Sequence, residues 1–243
     1  MPLAIVFIFT FAAQAVGSQP LFPNSIVSTD IDFIQATDPS DFLSLRFVNR
    51  ARKEMPDKRS DGLFVDDAFV FEATFRGDKH VQIYLHADFK TQAQANRYAS
   101  MLTGPLGRLP PCMRRNLSHV VVHKGDETAF GESEGHFFVL YSKNMETRVR
   151  NHDLEETVFH ESVHATLDAQ HSRSKAWRTA QRTDDSFITA YAASKPTRED
   201  MAESAIFAYT LLKHPGRMPK KVEQAVRERM PNRLAFFRTI FSR

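Results

Sequence analysis

The spacing of hydrophobic and polar residues predicts several strands in the first two thirds of the chain. Stretches 64–75 and 80–86 are rich in aromatic and aliphatic residues, and the polar, glycine-containing segment 76–79 between them is typical of a hairpin turn. Two further apolar runs, 117–123 and 135–141, also have the length of strands. We expect a sheet built from this part of the chain.

A different spacing, with apolar residues three and four positions apart, predicts helices. Segment 91–102 places its apolar residues on one face, and we expect it to end at the glycine-proline pair 104–105. Segment 41–54 is a further helix candidate, which either Asp38 or Ser40 could cap.

A longer helix is predicted to begin after Asp153, which forms a capping box with Glu156 three residues on. Four apolar residues of this helix share one face: Leu154, Val158, Phe159 and Val163. From residue 172 onward, prolines divide the chain into helical pieces. Because strands and one helix come first and helices follow, the predicted fold class is α+β.

The beginning of the chain predicts secretion. Residues 1–17 carry no charged side chain, their apolar run is too short to span a membrane, and the small residues around Ala15 and Gly17 suit signal peptidase. We therefore expect 1–17 to be a signal peptide, and the remainder to be extracellular with no membrane anchor. Segment 18–62 is either a removable propeptide or the first layer of the domain, and 63–243 is the domain itself.

The amino-acid composition limits which classes of protein the chain can belong to. Hydrophobic residues make up 42% and charged residues 25% of the chain, as in ordinary soluble globular proteins. The single cysteine, Cys112, excludes a disulfide within the chain. The formal charge of +3 comes with a basic C-terminal part, but no aromatic-interleaved basic motif accompanies it. A solvated helix face is the preferred interpretation, and nucleic acid is not an expected partner.

The candidate chemistry centres on Phe-His-Glu-Ser-Val-His at 159–164. On a helix, His160 and His164 lie one turn apart on the same face and can chelate one ion. Glu161 lies beside the first of them, where its carboxylate can take a proton from a water that the metal activates. Because the motif falls inside the predicted capped helix, a hydrolytic metal site is favoured over coincidence.

A hydrolytic zinc site needs a third protein ligand. The metzincin pattern HExxHxxGxxH is not continued, because Leu167 and Gln170 replace its glycine and last histidine and His171 is one residue out of register. Asp168, four residues after His164, suits a hydrogen bond behind the ligands, in the second shell, or no role.

Glu199 and Glu203 are the strongest candidates for that ligand. They are four residues apart on a helix that Thr197 is expected to cap, so they share a face. Burying a carboxylate without a partner costs free energy. If one of the two carboxylates binds a metal ion and the other accepts a hydrogen bond from a ligand histidine, both have partners and that cost is removed. The alternative is a solvated acidic helix start. The residues alone leave open which of the two is the ligand.

HExxH at 160–164, followed on a second helix by Glu-x-x-x-Glu at 199–203, resembles the gluzincin branch of the zincin metallopeptidases, which includes thermolysin-like and lethal-factor-like enzymes. The resemblance covers about 135–209. It implies a zincin-like fold with a mixed sheet, an active-site helix and a helical C-terminal part. It also implies one Zn²⁺ ion, with Glu199 as its third ligand and Glu203 bracing a ligand histidine.

The resemblance further implies a mechanism and a substrate. Tyr191 is similar in position to the tyrosine with which lethal-factor-like enzymes stabilise the oxyanion, and Glu161 would be the general base. Strand 135–141 would be the edge strand along which a peptide or protein substrate lies as an added strand. These expectations together describe a secreted zinc metallopeptidase.

Two alternatives from other classes remain open. The chain could be a non-catalytic zincin-fold module that holds metal and serves interaction, although Glu161 would then have no purpose. It could also bind acidic polymers through its basic C-terminal helices, in which case binding would depend steeply on salt.

Overall fold

The computed structural model describes residues 19–60, 65–77, 80–184 and 186–242. Within these ranges the strands are β1 (Phe42–Glu54), β2 (Val65–Phe75), β3 (Val81–His86), β4 (His119–His123), β5 (Phe130–Glu132) and β6 (Phe137–Tyr141). They form one sheet in the order β1-β2-β3-β4-β6-β5. The pairs β3/β4 and β4/β6 are parallel and the remaining pairs are antiparallel, so the sheet is mixed.

The helices are α1 (Gln92–Arg108), α2 (Pro111–Arg114), α3 (Ser142–Arg150), α4 (Leu154–Thr166), α5 (Lys175–Asp184), α6 (Ala190–Ser194), α7 (Asp200–Lys213), α8 (Lys220–Arg229) and α9 (Pro231–Phe241). A π-helical turn, Asp168–Ser172, follows α4, and a short 3-10 turn, Ile26–Ser28, precedes the sheet. This arrangement confirms the predicted α+β class and the mixed sheet.

The side chains of the strands divide between two apolar clusters. Alternate residues such as Phe71, Ile83 and Val120 join the main core with the helices. Their neighbours, among them Val70 and Tyr84, form a smaller cluster on the opposite face. This division follows from the pleat, which sends successive side chains to opposite faces.

Helix α4 lies at the centre of the molecule. Of its thirteen residues, all but His164 and Glu155 are buried, and it packs against α1, α7, β5 and β6. A helix with so few exposed residues belongs to the core rather than to the surface. The histidine motif that it carries is therefore held by a rigid part of the fold.

The four strand predictions are confirmed with shifted ends, as β2, β3, β4 and β6. Residue 64 and the second half of the predicted turn, 78–79, lie outside the described residues. The expectation that 135–141 is the edge strand is wrong. All five residues of β6 are buried, which suits an interior strand covered on both faces. The edge is β5, which pairs antiparallel to β6.

The predicted helix at 41–54 is also wrong, because this segment is β1. It pairs with β2 along nearly its whole length, and that ladder outweighs the local cap signals. The side chain of Ser40 accepts a hydrogen bond from the backbone of Phe42, and Asp38 pairs with Arg217. Neither residue caps a helix.

Two predicted helix ends differ from the structure. Helix α1 runs through the glycine-proline pair to Arg108, since Pro105 and Leu106 are buried in the core and their packing offsets the lost backbone hydrogen bond. Asp153 does precede α4, but its side chain makes no cap. Its carboxylate accepts a hydrogen bond from Arg148 at 2.9 Å instead, so the predicted capping box is absent.

The carboxyl of Glu156 is enclosed in the core next to the N-terminal segment. One oxygen accepts a hydrogen bond from the backbone N–H of Ile34 at 3.1 Å, and the other has no partner among the described residues. Burial raises the pKa of Glu156 to about 7. The fold therefore favours the protonated form of this side chain.

We expect Glu156 to make the protein less stable as the pH rises. Its folded pKa exceeds the unfolded value, so its stabilising contribution is complete below about pH 4.5 and is lost as the pH passes about 7. Glu156→Gln should reduce the fall in unfolding free energy between pH 5 and 8 by up to about 3 kcal/mol. Urea denaturation across this range measures the effect, and Glu155→Gln, one residue away, is the control for the loss of one carboxyl group.

Arg233 holds the C-terminal helices to α7 from a fully buried position. Its guanidinium contacts the carboxylates of Asp184, at 2.9 Å, and Asp200, at 2.5 Å, and all three side chains are fully buried.

Arg233→Met would leave both carboxylates buried without their cation, and we expect it to cost about 3–5 kcal/mol of unfolding free energy. Urea unfolding measures the loss, and Arg238→Met on the exposed side of α9 is the matched control. Equal effects of the two variants would show that the buried ion group is not stabilising.

The N-terminal part contributes β1 to the edge of the sheet opposite β5 and buries Ile26 and Phe33 in the main core. Whether 18–62 is removed, and the domain boundary at 63, stay predictions. The predicted signal peptide, 1–17, lies outside the described residues. No helix in the described part of the chain is long and apolar enough to cross a membrane.

Candidate metal centre

The two histidines of the motif lie one turn apart on α4 and face the same point. Their Nε2 atoms are 3.2 Å apart, His160 is buried and His164 is nearly so. Apolar neighbours on α4, such as Phe159 and Val163, anchor the helix in the main core. The imidazoles are thereby held in place from behind by the packing of the fold.

Glu199 completes the group from a second helix. It occupies the position immediately before α7, two residues later than the predicted cap at Thr197, and α7 packs directly on α4. Its Oε2 lies 3.2 Å from His164 Nε2 and 3.5 Å from His160 Nε2. Of the described residues, these three are the set whose ligand atoms converge closely enough to hold a metal ion.

The spacing of the three atoms fits a zinc ion. Ligands bound at about 2.0–2.1 Å in a tetrahedral site lie about 3.3 Å from one another. The observed separations of 3.2, 3.2 and 3.5 Å match that triangle. Two imidazole nitrogens and one carboxylate oxygen are also the donors that Zn²⁺ takes in catalytic sites, where a fourth position is left open.

Two more carboxylates lie behind the histidines. Asp168 Oδ2 is 2.7 Å from His164 Nδ1, and Glu203 Oε1 is 3.4 Å from His160 Nδ1. A metal on Nε2 leaves the imidazole proton on Nδ1, and Asp168 is placed to accept the one of His164. Glu203 is near His160 Nδ1, but that nitrogen makes no hydrogen bond to a described residue. The structure thus brings together every residue that the sequence suggested for ligation or support, with Glu199 facing Nε2 and Glu203 facing Nδ1.

Glu203 is held by the N-terminal segment, a contact that the sequence did not reveal. Its two oxygens accept hydrogen bonds from the Ser25 hydroxyl at 2.6 Å and from the backbone N–H of Ile26 at 2.9 Å. The side chain is completely buried. These bonds replace its hydration and aim it at His160, and no sequence pattern links residues so far apart in the chain.

The histidines and carboxylates form a charge-paired group. Burial lowers the pKa of His164, but its hydrogen bonds to Asp168 and Glu199 outweigh this and raise it to about 10. Burial opposes ionisation of Glu199 too, yet the two histidines hold its pKa well below the ordinary range. A metal ion must displace protons from the imidazoles, so its binding should weaken as the pH falls.

Glu161 lies beside the group with its carboxylate uncommitted. It is 8% exposed, lines the same cavity as the three candidate ligands, and has no hydrogen-bond partner among the described residues. A carboxylate that faces a cavity beside a metal site can accept a proton from a water held there.

Tyr191, on α6, also lines the cavity. Its hydroxyl accepts a hydrogen bond from the Lys195 ammonium at 3.2 Å, and that ammonium lies 4.5 Å from the centre of the ring. Burial raises the pKa of Tyr191 and the nearby Glu199 raises it further, although Lys195 opposes both. The phenol therefore keeps its proton at neutral pH and can donate a hydrogen bond to a developing oxyanion.

The cavity has a volume of about 590 Å³ and lies between the edge strand β5 and the segment that joins α6 to α7. Strand β5 lies so close to α4 that a Cβ on Gly131 would be 2.5 Å from the Cβ of His164 and 2.6 Å from the carbonyl oxygen of Glu161. Only glycine fits at this point. Both β5 and the role of Gly131 were missed, since three residues are too short for a recognisable strand pattern.

The other candidates lie apart from this group. The ring of His171, in the π-helical turn, packs edge-on against Phe236 at 5.7 Å between centroids. Cys112 lies on α2, where burial raises the pKa of its thiol and disfavours the thiolate. Neither residue lines the cavity.

Asp168→Asn should weaken zinc binding about 10- to 100-fold, because an amide orients and polarises the His164 imidazole less well than a carboxylate. Competition with a chromogenic chelator measures the affinity. Asp126→Asn, an exposed position outside the cavity, is the control for loss of one negative charge. An unchanged affinity in Asp168→Asn would mean that this contact does not support the ligand.

Comparison of the chain with protein-family models, with curated proteins and with solved structures finds no match in any of the three. The functional proposal rests on the residues and geometry of the chain itself.

Proposed function

We propose that this protein is a secreted, zinc-dependent metallopeptidase with a zincin-like fold and a gluzincin-like site. The observation that carries the proposal is the convergence of His160, His164 and Glu199 at zinc-ligand spacing, beside the uncommitted carboxylate of Glu161. Support for secretion comes only from the charge-free 1–17 segment.

Each residue has a distinct task in the proposed reaction. When bound, zinc supplies a Lewis acid that lowers the pKa of water toward 7 and polarises a carbonyl. Glu161 accepts the proton of the attacking water and then passes it to the leaving amine. Tyr191 donates a hydrogen bond to the oxygen on which negative charge develops. Asp168 and Glu203 keep the imidazoles oriented.

The edge strand supports a peptide as the substrate. Strand β5 has a free side along the cavity, because its other side pairs with β6. An extended peptide can add to such an edge through main-chain hydrogen bonds, which places one of its carbonyls over α4. A small solute would make no main-chain hydrogen bonds along the free side of β5.

A peptide-library digest tests the proposal. The zinc-loaded chain should cleave extended peptides, a chelator should stop cleavage, and added zinc should restore it. If zinc binds at the site and no peptide is cleaved, the chain is instead the non-catalytic metal-binding module, and the proposed enzyme activity is wrong.

A further inference from the structure

The helical side of the cavity carries several cations. Arg173 follows the π-helical turn after α4, and Lys195 and Arg198 lie in the segment between α6 and α7. All three are exposed and line the cavity that contains the candidate zinc ligands. Arg198 immediately precedes Glu199, so its backbone is fixed next to the centre.

Two of these cations have no side-chain partner among the residues that the structure describes. Lys195 is engaged with the hydroxyl and ring of Tyr191. Arg173 and Arg198 make no side-chain hydrogen bond or ion pair with any described residue. The carboxylates on the same side of the cavity, Asp168 and Glu199, are committed to the histidines. The two guanidinium groups are therefore available to a ligand.

The opposite side of the cavity carries two glutamates and one lysine, Lys58, whose ammonium lies 5.2 Å from the centre of the Phe130 ring. Glu132, at the end of β5, and Glu134 lie there, and Glu132 accepts a hydrogen bond only from the backbone N–H of Glu134 among the described residues. A peptide lying along β5 has one flank toward these glutamates and the other toward the arginines. The ammonium of Lys58 donates hydrogen bonds to backbone oxygens of the chain, so the cations that a negative group of the peptide finds uncommitted are those on the arginine side.

We propose that Arg173 and Arg198 bind a carboxylate of the peptide substrate and so determine specificity. The inference rests on the proposed peptidase function. Guanidinium groups suit this task because they donate paired hydrogen bonds to a carboxylate. The carboxylate comes either from an Asp or Glu side chain near the cleaved bond or from the free C-terminus of the peptide, and the same two arginines serve both.

Matched peptides distinguish the two sources. One pair carries Asp or Asn near the cleaved bond with an amidated C-terminus, and a second pair has no acidic side chain and ends in a free carboxylate or an amide. We expect the wild-type chain to prefer the carboxylate member of at least one pair in kcat/KM. The preferred pair identifies the source, and the preference should decline with added salt.

Arg173→Gln and Arg198→Gln should each reduce the preference about fivefold, and the double variant should reduce it further. Cleavage of the neutral peptides and zinc content should remain as in wild type. Arg182→Gln, an exposed arginine of α5 outside the cavity, is the control for loss of one positive charge.

Equal cleavage of both members in both pairs, or a preference that survives in the double variant, overturns this inference alone. A uniform loss of cleavage for all peptides in the arginine variants also overturns it, because that result indicates a general rather than a selective role. Failure of wild-type protein to cleave any peptide overturns the proposed function first, so the two failures are distinguishable.

Discussion

Glu161→Gln is expected to reduce peptide hydrolysis about 10²- to 10⁴-fold while leaving zinc in place. The amide keeps the size of the side chain but cannot accept the proton of the attacking water. Since the Glu161 side chain makes no hydrogen bond to a described residue, the change breaks no hydrogen bond of the fold. The measurement is kcat/KM on a cleaved peptide, with zinc content determined on the same sample.

Glu155→Gln is the matched control for this prediction. Glu155 is on the same helix, and its carboxylate faces Arg108 rather than the cavity. It should retain wild-type activity. If Glu161→Gln kept activity within a few-fold of wild type, another group would be the base and the proposed mechanism would be wrong.

Glu199→Gln should lower zinc affinity by more than about a hundredfold, which exceeds the usual effect of losing a residue behind the ligands. Removing this carboxylate leaves two imidazoles as the remaining ligands from the protein. The buried histidines also lose the negative charge that lies within 3.5 Å of both Nε2 atoms. Competition with a chelator measures the affinity.

Glu203→Gln is the informative comparison, because it removes the carboxylate four residues after Glu199, in the first turn of α7. We expect a smaller loss, about 10- to 100-fold, through the weaker support of His160. Thermal unfolding of both variants should show that the fold is intact. If Glu203→Gln lost zinc and Glu199→Gln kept it, the third ligand would be one turn further along α7.

The local part of the site was predictable from the sequence. Positions 160 and 164 share a helix face by periodicity alone, as do 199 and 203, and their residue types are those of a metal site. The expectation that these two helices lie against each other was based on the resemblance to gluzincins. The structure agrees with that meeting, since α4 packs on α7.

The missed features depend on contacts distant in sequence. Strand β1 has register irregularities near Phe42 and between Phe47 and Asn49, which interrupt the alternation by which a strand is recognised. The tight fit of Gly131 depends on how closely β5 approaches α4. The hydrogen bond from Ser25 to Glu203 connects residues 178 positions apart. Pattern reasoning within a short window detects none of these.

We propose above that His160, His164 and Glu199 together hold a zinc ion. Elemental analysis of the purified chain tests it most directly, before and after treatment with a chelator and after zinc is added back. We expect about one zinc ion per chain, lost to the chelator and regained on addition. A folded chain that contains no zinc and takes up none when zinc is supplied would contradict it.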